Sequence, residues 1–229
     1  FGVEITKEKL AEAIKLHNET RRLQQEIYEM QKGEEVYLTG LELLMVMLAG
    51  VSLPRPEYNK MMKDLIVALK ANGPRIKPKV RLLYTGGHAD NPEFFELLQQ
   101  NDAHVVSDNT GFGTRAADVL ICEDGDPLEA IINYYFEEKP AATRQMGTQV
   151  ERMERLLDLV KQYKADGVVA SRLYMCDLWA FEHFLMRKRL HENNVPFLEL
   201  EVDYTPEGQG QIKTRVQAFV ESLADRQTA

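Results

Sequence analysis

From Val80 onward, short apolar runs alternate with stretches of helix-forming residues, and this alternation constrains the fold more than any other feature. Short apolar runs bounded by turn residues are typical of buried strands. Strands that alternate with longer helices predict a parallel sheet covered by helices on both faces. The predicted strands are 80–85, 104–107, 118–121, 167–170 and 197–200, and the predicted helices are 92–100, 127–136, 149–165, 178–193 and 211–223. Residues 76–229 are therefore predicted to form an α/β region.

The first 75 residues carry a different pattern, in which apolar side chains recur at helical spacing. Thr6 is predicted to cap the first and longest helix. The three helices predicted here are 7–31, 39–49 and 57–71. The chain is thus divided into a helical segment, 1–75, and the α/β region, which is compatible with two lobes at 76–145 and 146–229.

Composition and charge limit the classes of function. A chain of 229 residues with 44% hydrophobic side chains can bury a substantial core. Its net charge of −8 is expected to repel nucleic acid and anionic membranes. No apolar run reaches the roughly 20 residues that span a bilayer, and the N-terminus carries no signal-peptide pattern. The sequence therefore predicts a cytoplasmic protein with neither nucleic acid nor a membrane as partner.

The chain contains two cysteines, Cys122 and Cys176. Two thiols cannot build a disulfide framework or supply a four-cysteine metal site. Cys122 follows an apolar run and is predicted to be a core residue. Cys176 lies between a predicted strand and a predicted helix, where the helix dipole and free amides favour the thiolate. Because a free cysteine is often a small core residue, both a core position and a metal-binding thiolate stay open for Cys176.

Ligands of open parallel sheets gather beyond the carboxyl ends of the strands. That rule points to four loops, at 85–91, 107–115, 171–177 and 203–211.

Two of these loops carry candidate ligand-binding residues. Gly86 and Gly87 can cradle a phosphate with free amides at a helix start, or can simply form a turn. The loop lacks the third glycine of a dinucleotide fingerprint and the lysine of a P-loop. Asp108, Asn109 and Arg115 combine a carboxylate, an amide and a cation at a strand end, where a carboxylate can act as base or ligand. They are also ordinary loop formers, and Arg115 can instead pair with a nearby acid.

Several stretches resemble the 2-hydroxyacyl-CoA dehydratase and benzoyl-CoA reductase family in content and in order. The stretches are Thr85-Gly86-Gly87 with Asn91-Pro92, Asp108-Asn109 with Arg115, Asp126-Pro127-Leu128, Ala165-Asp166-Gly167-Val168-Val169 and Cys176-Asp177. The ending is the most specific, because residues 210–221 are similar to the family's closing pattern Gly-Gln-x-x-Thr-Arg-x-x-Ala-Phe-x-Glu. Within that ending, Arg215 is interpreted as a contact to a neighbouring chain or as an anchor of the last helix to Asp203 or Glu207.

The resemblance, which is to the D-component of 2-hydroxyglutaryl-CoA dehydratase among others, implies a fold and a cofactor. Members have two stacked Rossmann-like or flavodoxin-like lobes with flanking helices, and they hold a 4Fe-4S cluster through three cysteines. Cys176 matches the last of these, and the other two would precede Phe1. The chain is therefore interpreted as the C-terminal part of a subunit, with an incomplete ligand set and no activity by itself.

The resemblance also implies a reaction and partners. The complete protein would be a lyase that removes water from a 2-hydroxyacyl-CoA after one electron has converted the thioester carbonyl to a ketyl radical, which expels hydroxide. Its partners would be the acyl-CoA, a homologous second subunit and an ATP-dependent iron-sulfur activator protein. Two other functions stay open: a benzoyl-CoA reductase-type subunit that reduces an aromatic acyl-CoA, and a non-catalytic scaffold subunit.

Overall fold

The computed structural model of the chain describes residues 2–87, 91–99, 103–203 and 209–228. Within them, four strands form one sheet in which all neighbouring strands are parallel. The strands are β1 (Val80–Gly86), β2 (Ala103–Asn109), β3 (Gly167–Leu173) and β4 (Phe197–Val202), in the order β2-β1-β3-β4. The predicted α/β class is confirmed, and the order is that of flavodoxin-like folds.

The predicted N-terminal helices are confirmed as α1 (Lys7–Glu29), α2 (Gly40–Ser52) and α3 (Arg55–Asn72). Thr6 caps α1 as predicted, because its hydroxyl accepts a hydrogen bond from the Lys9 amide. Thr39 and Glu42 form a reciprocal capping box at the start of α2, in which each side chain accepts from the other residue's amide.

The other helices are α4 (Pro92–Leu98), α5 (Thr114–Ala117), α6 (Pro127–Asn133), α7 (Gln149–Gln162), α8 (Asp177–Glu192) and α9 (Gln209–Thr228). A π-helical turn, Tyr134–Glu138, directly follows α6. Asn91 caps α4 by accepting from the Glu93 and Phe94 amides. No helix among the described residues is long and apolar enough to cross a bilayer.

Helices cover both faces of the sheet, and each face has its own apolar core. On one face Leu83, Val106 and Val168 pack with residues of α1, α3, α7 and α8. On the other, Leu82 and Val169 pack with residues of α2, α4 and α9. Neighbouring strand residues thus point to opposite cores, which accounts for the continuous apolar runs in the sequence. The sheet contains two strands from residues 76–145 and two from residues 146–229. The division of the α/β region into two lobes stays a prediction.

Residues 118–121 were predicted to form a strand, and this prediction is wrong. Side chains of α1 hold this segment instead of a neighbouring strand. The Asn18 side chain donates to the Ile121 carbonyl at 2.7 Å and accepts from its amide at 2.9 Å. Gln25 donates to the carbonyls of Ala117 and Asp118. Because these backbone groups are satisfied by amide side chains, the apolar run stays outside the sheet.

Cys122 was predicted to be a core residue, and this too is wrong, because the side chain is exposed. The error has the same origin as the missing strand. A residue at the end of a sheet strand would enter the core, whereas here the segment runs across α1 and leaves the Cys122 thiol at the surface, 3.5 Å from the Asp124 carbonyl.

Candidate functional site

The strand order places a crevice between the carboxyl ends of β1 and β3. The connection from β1 leads to β2 on one side of the sheet and the connection from β3 leads to β4 on the other side. The loops after β1 and β3 therefore diverge and leave space between them, which is where ligands of such folds bind. Gly86 pairs in register with Ser171, and the Gly87 amide donates to the Ser171 carbonyl at 3.3 Å.

Cys176 lies at this edge, as the N-cap of α8, where the sequence predicts a thiol at a helix start. The preceding turn is tight: Met175 has a left-handed φ of 62°, and the Cys176 amide donates to the Leu173 carbonyl at 3.1 Å. The side chain is partly buried against the core on the α8 face of the sheet. Its role as a metal ligand stays a prediction.

The two glycines after β1 are required by close packing. A Cβ on Gly86 would lie 2.5 Å from the Ser171 carbonyl oxygen, and one on Gly87 would lie 2.3 Å from Trp179 Nε1. Trp179 is 9% exposed and packs against the core. A tight turn accounts for both glycines, and both also line a cavity at this edge.

Asp108 is the best-bonded side chain of the second loop. Its carboxylate accepts from the Tyr28 hydroxyl and from the amide and hydroxyl of Thr110, at 2.8 and 2.7 Å. Burial and the Asp108 charge raise the pKa of Tyr28 well above its usual value. A Cβ on Gly113 would lie 2.0 Å from an Asp108 oxygen, so the loop wraps directly on the carboxylate. These bonds favour a structural role for Asp108 over that of a base or ligand.

Unlike the Asp108 carboxylate, the Arg115 guanidinium is incompletely hydrogen-bonded, because its Nε is buried and has no hydrogen-bond partner among the described residues. No ion pair with an acid, one of the two sequence-based alternatives, is formed within the described ranges. Burial, and then the neighbouring Arg155 guanidinium, lower the pKa of Arg115. Arg155 donates to the Asn109 side chain at 3.3 Å and pairs with Asp118, which fixes Asn109 in the loop.

These loops enclose a cavity of about 240 Å³, called here the switch-point cavity. Its polar and aromatic wall is formed by Gly86, Gly87, Thr110, Arg115, Arg144 and Trp179. Cys176 precedes Trp179 by three residues, so the two lie one helical turn apart at the start of α8. The structure thus brings Gly86, Gly87 and Arg115 together in one cavity wall, whereas Cys176 is not among the lining residues and reaches this edge only through its spacing from Trp179.

Sequence reasoning missed two lining residues, Arg144 and Trp179. The spacing of three residues between Cys176 and Trp179 was the available signal for the latter. Arg144 lies in an irregular segment before α7, and the sequence carries no signal that would bring that segment to this edge. Arg215 donates to the Glu199 backbone carbonyl at 2.6 Å, so it anchors α9 to β4 through a group that was not predicted. Glu207 lies outside the described residues.

The described residues do not make a complete metal or cluster site. Among them, no three His, Cys, Asp or Glu side chains come close enough together to hold a metal ion. The position of Cys176, a thiol at a helix start, fits one ligand of an iron-sulfur cluster.

The strand order, the crevice and the cavity define a flavodoxin-like α/β protein with a cavity at the switch point. The chain belongs to the family described as 2-hydroxyglutaryl-CoA dehydratase, D-component, whose model matches residues 1–223.

Three curated relatives each align with 97% of the chain. YjiM of Escherichia coli K12, named as a dehydratase subunit, is 28% identical. The (R)-phenyllactyl-CoA dehydratase beta subunit of Clostridium sporogenes is 24% identical, and a benzoyl-CoA reductase subunit of Thauera aromatica is 23% identical. The chain spans 59%, 59% and 58% of the lengths of these relatives, respectively.

Proposed function

We propose that this chain is part of a subunit of a 2-hydroxyacyl-CoA dehydratase, a lyase, and that Cys176 is one thiolate ligand of its 4Fe-4S cluster. The observation that carries the proposal is the position of Cys176. Cys176 is the N-cap of α8, the helix that follows β3 at the switch point, and it lies one helical turn before Trp179, which lines the switch-point cavity. The other ligands would lie outside the described residues.

The cluster, when bound, would supply the electron that the elimination of water requires. The residues of this chain have separate tasks. The Gly86–Gly87 turn lets the Trp179 indole close one wall of the cavity. Arg115 has a buried Nε that no described residue accepts from and forms no ion pair within the described ranges, which suits an anionic or carbonyl oxygen. Asp108 holds the second loop in place through its bonds to Tyr28 and Thr110.

A second subunit is supported by exposed apolar side chains on both sides of Cys176. Tyr174 and Met175, which precede it, are 63% and 76% exposed, and Phe181 and Phe184 of α8 are 75% and 61% exposed. Clustered exposed aromatic residues mark protein interfaces. Since two of the relatives are named as one subunit of an enzyme, we assign this surface to a homologous second subunit, which would close the site.

A subunit of a benzoyl-CoA reductase-type enzyme is the second candidate function. The benzoyl-CoA reductase subunit of Thauera aromatica is 23% identical to the chain, against 24% for the phenyllactyl-CoA dehydratase subunit. A scaffold protein without a cluster is the third candidate, which would leave Cys176 as an ordinary partly buried thiol.

Activity of the complete gene product, copurified with its partner subunit and supplied with an ATP-dependent iron-sulfur activator, separates the three candidates. A dehydratase forms a 2-enoyl-CoA from a 2-hydroxyacyl-CoA. Cys176→Ala should abolish this activity, and Cys122→Ala, at the exposed second thiol, should keep it. Reduction of an aromatic acyl-CoA ring with the same dependence on Cys176 would establish the reductase branch instead. Full activity of Cys176→Ala would refute the role of the thiol.

The proposed partner surface has its own test. Phe181→Ser with Phe184→Ser should reduce copurification of the second subunit, while Val67→Ser, at a 69% exposed apolar residue of α3, should not. Equal copurification of all variants would rule out this surface as the interface.

A further inference from the structure

A second cavity, of about 200 Å³, lies beside the switch-point cavity, and both share the turn formed by Gly111 and Phe112. It is called here the tyrosine cavity, because Tyr134 and Tyr135 of the π-helical turn form part of its wall. The cationic lining residues are Arg21 from α1, Arg55 from α3, and Lys139, and His17 of α1 also lines the cavity. Single-turn π-helices of this kind are frequent at functional sites.

Positive charge is concentrated around the shared turn. With Arg115 and Arg144 of the switch-point cavity, five Arg and Lys side chains line the two cavities. No Asp or Glu of the described ranges lines either of them. The whole chain carries a net charge of −8, so this local excess of cations is opposite to the average surface. A cleft lined by one sign of charge attracts ligands of the opposite sign.

The cations of the tyrosine cavity are held by neutral groups. Arg21 lies over the Tyr134 ring, 4.7 Å from its centre, and Lys139 Nζ lies 5.1 Å from the centre of the Tyr135 ring. Arg21 and Arg55 also donate to backbone carbonyls. Within the part of the chain that the structure describes, none of the three forms an ion pair. Their charges are therefore available to an anion.

The cations also act on one another. Burial, and then Arg115 and Arg21, lower the pKa of Lys139, so charges of the two cavities are within electrostatic reach. Burial, and then Arg55 and Arg21, lower the pKa of His17. An anion bound at the shared turn would relieve this repulsion.

The two acids nearest to Arg115 are already engaged. Asp108 accepts from Tyr28 and Thr110, and Glu182 forms a buried bidentate pair with Arg152, with both contacts at 2.8 Å. Both acids raise the pKa of Arg115, but neither lines the two cavities, so an anion in the cavities does not have to displace them.

We propose that the tyrosine cavity and the switch-point cavity together bind a phosphorylated nucleoside. Several separated cations suit a ligand with more than one phosphate. The Tyr135 ring, which is 51% exposed and is held in edge contact at 5.0 Å by the buried Tyr134 ring, offers an aromatic surface for a base. Each cavity alone is smaller than the roughly 300 Å³ typical of ligand pockets, which favours a ligand that bridges the Gly111–Phe112 turn.

Two sources can supply such a group: a free nucleotide, or the 3′-phosphoadenosine end of coenzyme A. The cavities alone carry the nucleotide chemistry. The choice of coenzyme A rests on the proposed function, because the thioester would then extend from the tyrosine cavity toward the edge that carries Cys176.

Isothermal titration calorimetry of the complete gene product, with its partner subunit, tests the site. The probes are adenosine 3′,5′-bisphosphate, coenzyme A, ADP, pantetheine and inorganic pyrophosphate. Lys139→Gln and Arg55→Gln should each weaken binding of the bisphosphate at least about tenfold, as expected for loss of one charge-assisted hydrogen bond. Arg226→Gln, which removes an equal charge beside a separate cavity lined by Glu199, should change binding less than about twofold.

If adenosine 3′,5′-bisphosphate and coenzyme A bind with comparable affinity and pantetheine does not bind, the coenzyme A assignment is supported. Binding of ADP without binding of coenzyme A keeps the nucleotide site and overturns that assignment. Pyrophosphate binding as tight as that of the nucleotides would overturn the role of the tyrosines, and absence of nucleotide binding would overturn the site. Nucleotide binding should persist in Cys176→Ala, so failure of the cluster assignment and failure of this site are distinguishable.

Discussion

Gly113→Ala is expected to destabilise the protein because the added methyl group has no space. A Cβ at this position would lie 2.0 Å from Asp108 Oδ1 and 2.5 Å from Cγ. The carboxylate cannot move aside freely, because Tyr28 and Thr110 donate three hydrogen bonds to it. Either the loop or the carboxylate must shift, and one or more of these bonds must be lost.

The expected cost follows from these contacts. Overpacking a tight site costs about 1–3 kcal/mol. Loss of one hydrogen bond to a charged group costs about 1.5–3 kcal/mol. The two effects overlap, so the free energy of unfolding should fall by about 3 kcal/mol. For a chain of this size, that corresponds to a decrease in Tm of about 6–12 °C.

The assay is equilibrium urea unfolding, followed by far-UV circular dichroism, of the wild type, Gly113→Ala and a matched control. Gly210→Ala is the control, because no atom of the described residues, apart from its chain neighbours and the backbone of its own helix, lies within 4 Å of the added Cβ, and the residue is in α9. The control should be unchanged or more stable by up to about 1 kcal/mol. A loss below about 0.5 kcal/mol in Gly113→Ala, within the range of ordinary surface substitutions, would refute the reasoning about the Asp108 loop.

Two further predictions concern buried ionisable groups. Arg152→Met should lower the free energy of unfolding by about 3–5 kcal/mol, because Glu182 is left buried and unpaired, and adding Glu182→Leu should recover most of this loss in a double-mutant cycle. The pKa of Tyr28 is raised by burial and by Asp108, so above about pH 10 the folded state binds more protons than the unfolded state and stability falls. Tyr28→Phe should flatten this alkaline decline in urea unfolding from about pH 8 to about pH 11; an unchanged slope would contradict the assigned shift.

The sequence predicts the elements that follow strong local signals. The four strands of the sheet lie in apolar runs bounded by turns, and Thr6 and Asn91 cap helices as local hydrogen-bonding rules require. The position of Cys176 at the start of α8 is predicted in the same way, because the residue lies between a predicted strand and a predicted helix.

Long-range contacts account for what the sequence does not predict. Residues 118–121 have the composition of a strand, and only the approach of Asn18 and Gln25 from α1 diverts their backbone from the sheet. The same contact exposes Cys122. Local patterns carry no information about these partners, because the hydrogen bond between Asn18 and Ile121 joins residues 103 positions apart.

The residues of the candidate site also divide into those that local sequence signals predict and those that only long-range contacts bring together. Gly86, Gly87, Arg115 and Cys176 are found from loops that follow predicted strands, because the sheet brings these loops to one edge. The tyrosine cavity combines α1, α3 and the π-helical turn, which meet only in the folded chain.

The most direct test of the account is the iron and acid-labile sulfide content of the complete gene product, purified without oxygen, beside Cys176→Ala and Cys122→Ala. The account predicts about four iron and four sulfide per chain in the wild type and in Cys122→Ala, and their loss in Cys176→Ala with an unchanged circular dichroism spectrum. Equal iron in all three proteins, or none in the wild type, would contradict it.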